Sequence, residues 1–298
     1  MKGFPWPSIN GAQPTWNGTG FDLDGRRAAI LDFGAGESGW SEELTDFHEG
    51  TAGEGVHPID IASRRRARAA LRRHLRVERP EEIVILEVGC SSGFLLEELA
   101  RDWPRSLVIG SDYIPGPLHR LAPRIGGVPL LRFDLVRCPL PSASVDAAVL
   151  LNVLEHIEDH EAAVRQVARI LKPGGVAVVE VPAGPHLYDV YDKYLKHYRR
   201  YRLSDVRTLV EGAGLTVAAA SHLGCLLYPA FAFVKRRNRR WLEASEEVQR
   251  QVVERDIDIS SRGPLLKWTT EVEEWLGRWA SFPMGIRCVV VAVKSPAC

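Results

Sequence analysis

Ile85-Leu86-Glu87-Val88-Gly89-Cys90-Ser91-Ser92-Gly93-Phe94 decides how this chain is read: an apolar run closes on an acid and a glycine-bracketed turn, then opens into an amphipathic helix. Ile83 to Val88 has the character of a strand buried on both faces, and Leu95, Leu96, Leu99 and Trp103 recur at helical spacing after it. The turn between them is a strand-to-helix crossing. Gly89 and Gly93 carry no Cβ, so the backbone turns tightly and lets a ligand approach, while the helix start offers N–H groups with no intrahelical partner. A dinucleotide fingerprint needs glycines at the first, third and sixth positions, which here hold Gly89, Ser91 and Phe94. No P-loop lysine follows.

Four further features succeed it in order. Leu107 to Gly110 reads as a short strand ending in Ser111-Asp112, and Asp112 stands about twenty-five residues past Glu87, close to the spacing at which an acid meets ribose hydroxyls in nucleotide sites. Leu130 to Phe133 leads to Asp134-Leu135. Val145 to Leu151 is a fourth strand running into Asn152-Val153-Leu154-Glu155-His156-Ile157. Leu171-Lys172-Pro173-Gly174-Gly175 is a turn between a helix carrying Val164, Val167, Ile170 and Leu171 and a fifth strand, Val176 to Val181.

The ordered set resembles the class I methyltransferases that use S-adenosyl-L-methionine, type 11/12-like, small-molecule branch. Their first motif is usually an apolar run, an acid and Gly-x-Gly-x-Gly, and Ser91 stands where the middle glycine sits. The resemblance covers roughly residues 80 to 220 and a closing strand near 286 to 294. It implies an α/β fold: a Rossmann-like, doubly wound, seven-stranded, mostly parallel sheet with an antiparallel last strand, an N-terminal helical lid and a helical insert before the last strand. The corresponding divisions are residues 1–80 (loop and helical cap), 81–221 (cofactor-binding core), 222–285 (insert) and 286–298 (closing strand). It also implies that Glu87, Gly89, Cys90, Ser91, Gly93, Asp112, Tyr113, Asp134, Leu135 and Asn152 line the cofactor, with Asp134 reading the adenine amino group and Leu135 covering the ring. The plainer reading of each acid is a turn former or helix cap.

The 298 residues, 45% hydrophobic and 26% charged, suffice for one large core. Lys+Arg 38 balances Asp+Glu 38, so no global field favours nucleic acid or an anionic bilayer. Cys90, Cys138, Cys225, Cys288 and Cys298 are scattered and odd in number with no Cys-x-x-Cys, which argues against a disulfide framework or zinc site and suits a reducing cytoplasm. Met1 to Gly20 lacks the apolar core of a cleavable leader, and the longest apolar stretch, Leu223 to Val234, is too short to span a bilayer. Ile30-Leu31-Asp32-Phe33-Gly34-Ala35-Gly36 imitates the first motif, but the helical Trp40 to Leu44 after it lacks a second strand and acid. It reads as a decoy.

Outside the core, Ala62 to Leu75 is arginine-dense with Ala67, Ala70, Leu71 and Leu75 on one face, a solvated amphipathic helix. The alternative is a lid closed by Trp40, His57 and Asp60. Lys196-His197-Tyr198-Arg199-Arg200-Tyr201 resembles the His-x-Arg-Arg-Tyr segment of methyltransferases of sugars, lipids and secondary metabolites. Either Arg200 and Tyr201 pin this loop to the sheet, or His197 and an arginine face an anionic acceptor. Trp268, Val272, Trp275 and Trp279 form a stripe at near-heptad spacing that reads as core or as the seam of a homodimer. A membrane-surface role for Leu226 to Arg240 is set aside.

Methyl transfer from a sulfonium needs an in-line nucleophile and, for a poorly acidic hydroxyl, a base. His156, at the carboxyl edge of the sheet, is the first candidate, with His197 and then His186 behind it. Glu155-His156 echoes the Glu-x-x-Glu-His metal motif of some O-methyltransferases, but Asn152 replaces the first acid, so no metal is expected. The expected partner is a small-molecule acceptor rather than nucleic acid, because no basic groove with interleaved aromatics is legible. The competing classes are a cyclase or eliminase that binds the same cofactor without methylating, and a catalytically silent subunit.

Overall fold

A computed structural model describes residues 3–34, 43–44, 57–76, 79–261, 264–277 and 279–296. At the start, β1 (Thr15–Trp16), β2 (Phe21–Leu23) and β3 (Arg26–Ala28) form a small antiparallel sheet. Then follow β4 (Ile30–Asp32), α1 (Pro58–His74), β5 (Val84–Val88), α2 (Phe94–Asp102), β6 (Leu107–Asp112), α3 (Pro115–Leu121) and β7 (Leu130–Arg132). The second half runs β8 (Val145–Leu151), α4 (His160–Ile170), β9 (Leu171–Pro182), α5 (Val190–Tyr194), α6 (Leu203–Gly212) and β10 (Leu215–Leu223). After α7 (Tyr228–Asn238), α8 (Glu246–Ser261) and α9 (Pro264–Leu276), β11 (Arg287–Lys294) closes the fold.

The main sheet has the order β10-β11-β9-β8-β5-β6-β7-β4, and every pairing is parallel except those of β11 with β9 and β10. The doubly wound α/β class and the antiparallel last strand therefore stand as expected, with one strand more than seven. The extra strand is β4, the start of the stretch read as a decoy. Leu31 is fully buried opposite Leu131, so the segment serves as an edge strand far from β5 and takes no part in the glycine turn. β9 also begins earlier than expected, because Leu171 already pairs with Val145 before the register shifts past the 172–175 turn.

Burial on both faces explains the strand composition. Leu86, Val88, Ala148 and Leu150 belong to the apolar layer under α4 and α6, whereas Ile85, Ala147, Val149 and Val178 belong to the layer under α1, α2 and α3. Helix α1 is part of that second layer through Ala67 and Leu71, and its arginines Arg64, Arg68 and Arg72 pair with Glu98 and Asp102 of α2. Part of its basic face is thus a neighbour's counter-charge, while Arg65 and Arg72 keep half their side chains in solvent, as expected of a solvated amphipathic helix.

The aromatic stripe of the insert is not core of this chain. Trp268 and Trp275 are 60% and 58% exposed, and Trp279, beyond the end of α9, is 83% exposed. Among the described residues no helix is long and apolar enough to cross a membrane.

Candidate active site

Strand order reverses at β5, with β6 on one side and β8 on the other, and this opens a crevice at the carboxyl edge where open α/β sheets take ligands. The glycine turn lies there. Gly89 and Gly93 have φ of +74° and +81°, the left-handed region that costs an L-residue roughly 1–2 kcal/mol. A Cβ on Gly93 would stand 2.5 Å from Leu121 Cδ1, and Leu121 is 1% exposed. Gly93→Ala is therefore expected to cost about 2–4 kcal/mol, strain and overpacking together, read as a lower denaturation midpoint in urea. Ser91, at the usual glycine position, also has positive φ, +44°.

The turn is stitched to β6. The N–H groups of Gly89 and Cys90 both donate to the Ser111 carbonyl, at 2.8 and 2.9 Å, and Ser91 N–H donates to Asp112 Oδ2 at 2.9 Å. Asp112 Oδ1 accepts from Ile114 N–H at 3.0 Å. One carboxylate thus fixes two loops. Cys90 is buried in the layer under α2, so only its backbone belongs to the turn. Arg132 Nε donates to the Tyr113 carbonyl at 3.1 Å.

Asp134 caps the short 3-10 turn Leu135–Arg137, accepting from Val136 N–H, and Leu135 is buried. The plainer reading of Asp134 as a cap is met without removing its second oxygen. Asn152 adopts φ +53° and donates its N–H to the Glu180 carbonyl, turning the chain out of β8 beside Gly89, where the Val153 methyl closes over the glycine. Glu87 is 6% exposed; burial, and after it the charge of Asp112, holds its carboxyl well above the usual range, with Oε2 lacking a hydrogen-bond partner among the described residues.

On the same edge, after β8, the two candidate histidines meet. The His156 and His197 ring centroids are 4.7 Å apart at 80°. His197 Nδ1 lies 2.9 Å from Asp192 Oδ1, and burial keeps its imidazole below the ordinary value even against that carboxylate. Asp192 also accepts from Arg200 at 2.9 Å and from Lys235 at 3.3 Å, while Lys235 reaches Asp189 at 2.6 Å. Burial pushes Asp192 up, but Lys235, Arg200 and His197 outweigh it and hold the carboxyl well below its usual range. His186 is elsewhere, against the Tyr228 hydroxyl at 3.0 Å.

The pinning reading of the 196–201 segment is met. Arg200 Nε donates to the Ala183 carbonyl, Tyr201 Oη donates to the Leu154 carbonyl, and Arg199 donates to the carbonyls of Ile157 and Glu158. Both arginines are engaged inside the fold, which takes away the anion-binding guanidinium imagined for them. Of the lid residues, His57 caps α1, accepting from Ile59 N–H, and Asp60 is tied to Arg287 at 2.6 Å; Trp40 lies outside the described residues. Arg287 also reaches Glu180 at 2.9 Å, so α1 is clamped to the ends of β9 and β11.

Asp192, Lys235 and Glu180 escaped sequence reasoning. The only signal for Lys235 was a lysine set among Phe231, Phe233 and Val234 in an apolar helix, which reads equally as the start of a solvated basic run.

Two hollows flank this edge, about 230 Å³ beside Ile30, Pro115 and Leu118, and about 350 Å³ beside His186, His222, Tyr228 and Met284. Neither is lined by Gly89, Asp112 or His156, so geometry at the glycine turn, not cavity size, marks the site.

Residues 86–179 match the family described as Methyltransferase domain. A "Probable S-adenosylmethionine-dependent methyltransferase" of Mycolicibacterium smegmatis is 37% identical over 101 residues, 33% of this chain and 37% of that one. A trans-aconitate 2-methyltransferase of Azoarcus is 29% identical over 117 residues, 39% of this chain and 46% of that one. The match thus spans less than half the length of either relative. In fold, the phosphoethanolamine N-methyltransferase 2 of Haemonchus contortus, solved in complex with S-adenosyl-L-methionine, superposes with a TM-score of 0.52 at 14% identity, covering 85% of this chain and 60% of that one. The matched segment holds the glycine turn, Asp112, Asp134 and the Glu155-His156 pair, and over residues 86–179 the chain is therefore similar to the methyltransferase domain of S-adenosylmethionine-dependent enzymes.

Proposed function

We propose that the whole chain moves a methyl group from S-adenosyl-L-methionine to a small-molecule acceptor, an oxygen of a secondary metabolite, sugar or lipid-like compound being the first reading. The observation that supports it best is the pairing of the two positive-φ glycines with Asp112, whose carboxylate binds the turn through Ser91 N–H at the switch point of the sheet. In this reading Asp112 receives the ribose hydroxyls. Asp134 and Leu135 take the adenine, and Glu87, Gly89, Cys90, Ser91, Gly93, Tyr113 and Asn152 complete the cofactor's surroundings. His156 and His197 stand on the acceptor side. The protein supplies position and a dry, charged edge, and the sulfonium supplies the leaving group.

Calorimetric titration with S-adenosylhomocysteine tests the cofactor half, and the absence of binding would end the reading. Product mass tests the other half. An added methyl with release of S-adenosylhomocysteine is methyl transfer, whereas an unchanged or dehydrated mass points to the cyclase or eliminase alternative. A chain of zero formal net charge supports a small acceptor over nucleic acid. Cytoplasmic placement and a homodimer remain part of the proposal.

Glu87 makes the binding pH-dependent. Its raised folded-state pKa means that it holds a proton at pH values where an unfolded glutamate is ionised, so its contribution to stability falls as pH rises through that window. The sulfonium donor is cationic and favours the ionised carboxylate, so binding expels the proton. Donor affinity is expected to climb with pH, by up to about tenfold per unit, until Glu87 ionises in the free protein. Titrations at several pH values in buffers of different ionisation heat read this proton release, and Glu87→Gln flattens the slope.

A further inference from the structure

Glu155, His156 and His197 each bring one donor atom to within 4.8 Å of the other two, at the carboxyl edge between β8 and β9. Glu155 is 1% exposed, and its Oε2 has no hydrogen-bond partner among the described residues. His197 offers its Nδ1 to Asp192 at 2.9 Å, which leaves Nε2 as the ring's other donor site. A carboxylate behind an imidazole is the outer support that orients metal-bound histidines and raises their basicity.

The charge balance around this point favours a cation. Glu155 feels Arg287, Glu180 and Arg200; Arg287 holds Asp60 and Glu180; Arg200 and Lys235 hold Asp192 and Asp189. Five carboxyl groups thus face three cations, and Arg66 with Glu273 adds one of each sign. Among these groups of the described residues the carboxyls outnumber the cations by two.

We propose that Glu155, His156 and His197 bind one divalent first-row transition-metal ion, with Asp192 as the outer support of His197. Two imidazoles and one carboxylate suit zinc, iron or manganese and not magnesium, which prefers an all-oxygen set. Donors about 2.1 Å from a metal at tetrahedral angles stand about 3.4 Å apart, so the set has to close by up to about 1.4 Å, through side-chain rotation. Sequence pattern argued against a metal because Asn152 removes a hard oxygen. It could not show that His197, far along the chain, takes up the vacancy with a nitrogen.

The inference deepens the functional proposal and rests on its placing of the acceptor beside the two histidines. An acceptor hydroxyl that becomes a further ligand would lose its proton to solvent more readily, and its oxygen would then take the methyl as the sulfur–methyl bond breaks.

The test uses the full chain, treated with a chelator and titrated with Co²⁺ as the probe, followed by calorimetry and visible absorption. The expected result is one equivalent bound with ligand-field bands. Glu155→Gln and His197→Gln should each weaken it at least tenfold, and Asp192→Asn by about tenfold. S-adenosylhomocysteine affinity should stay within about twofold in Glu155→Gln, so loss of the metal and loss of the cofactor reading are separate outcomes. Failure to take up one equivalent, or a Co²⁺ affinity unchanged in Glu155→Gln, overturns the site. If His197→Gln does not fold by circular dichroism, His156→Gln takes its place with the same expectation.

Discussion

Asp112→Ala is expected to weaken S-adenosylhomocysteine binding by about a hundredfold or more while leaving the chain folded. The carboxylate does two things at once. It accepts the N–H groups of Ser91 and Ile114, at 2.9 and 3.0 Å, and so fixes the spacing between the glycine turn and the loop after β6. In the proposed complex its remaining lone pairs also hold the ribose diol. Hydrogen bonds to a charged group contribute about 1.5–3 kcal/mol each, and losing two of them to the ligand amounts to roughly 3–6 kcal/mol, before any loosening of the turn. Asp112→Asn keeps one acceptor for a backbone N–H and is expected to fall between. Calorimetry measures the affinities, and a melting curve shows that the fold survives. An Asp112→Ala protein binding within twofold of the parent would remove the ribose assignment.

The second large effect is on stability. Asp192 is fully buried and takes Arg200, Lys235 and His197 on one carboxylate, with Tyr191 stacked 4.5 Å from the Lys235 ammonium. Removing one member of a buried ion network leaves the others desolvated and uncompensated, a loss of about 3–5 kcal/mol. Asp192→Ala is expected to lose that much, measured by urea denaturation. Adding Lys235→Met to it should cost less than the two single changes summed, because each single change strands a charge that the double change does not. Strict additivity would mean that the network does not tie the insert to the core. Lys235 comes from α7, so the same comparison measures how firmly the 222–285 insert is held against the 189–200 segment.

The core strands were legible because each is a period-free apolar run ending at a turn residue, a pattern with one physical solution, burial on both faces of a parallel sheet. Val145–Leu151 is observed with the expected ends, and the glycine turn lies where Gly89 and Gly93 put it. The edge strand β4 was missed for the opposite reason, although its reading as a decoy of the first motif stands. Three residues carry too little pattern to separate a strand from an imitation of a motif, and only Leu131 across the ladder explains why Leu31 is buried. For the tryptophan stripe only the core alternative is lost, since heptad spacing states that one face is apolar and says nothing about what, if anything, covers it.

What the sequence by itself determined is local: strands, caps, the glycine crossing and the acids at strand ends, because these follow from neighbours a few residues apart. Which charges meet was decided by the tertiary structure alone. Lys235 reaches Asp189 and Asp192, Arg287 reaches Asp60 and Glu180, and His197 comes against His156, since contacts between distant segments depend on how helices close over the sheet edge. Burial then alters the chemistry of groups that look ordinary in a linear string. The Glu155 carboxyl is pushed up and that of Asp192 held down, although both are simply acids in the sequence, because each answers to the water it has lost and the cations it has gained.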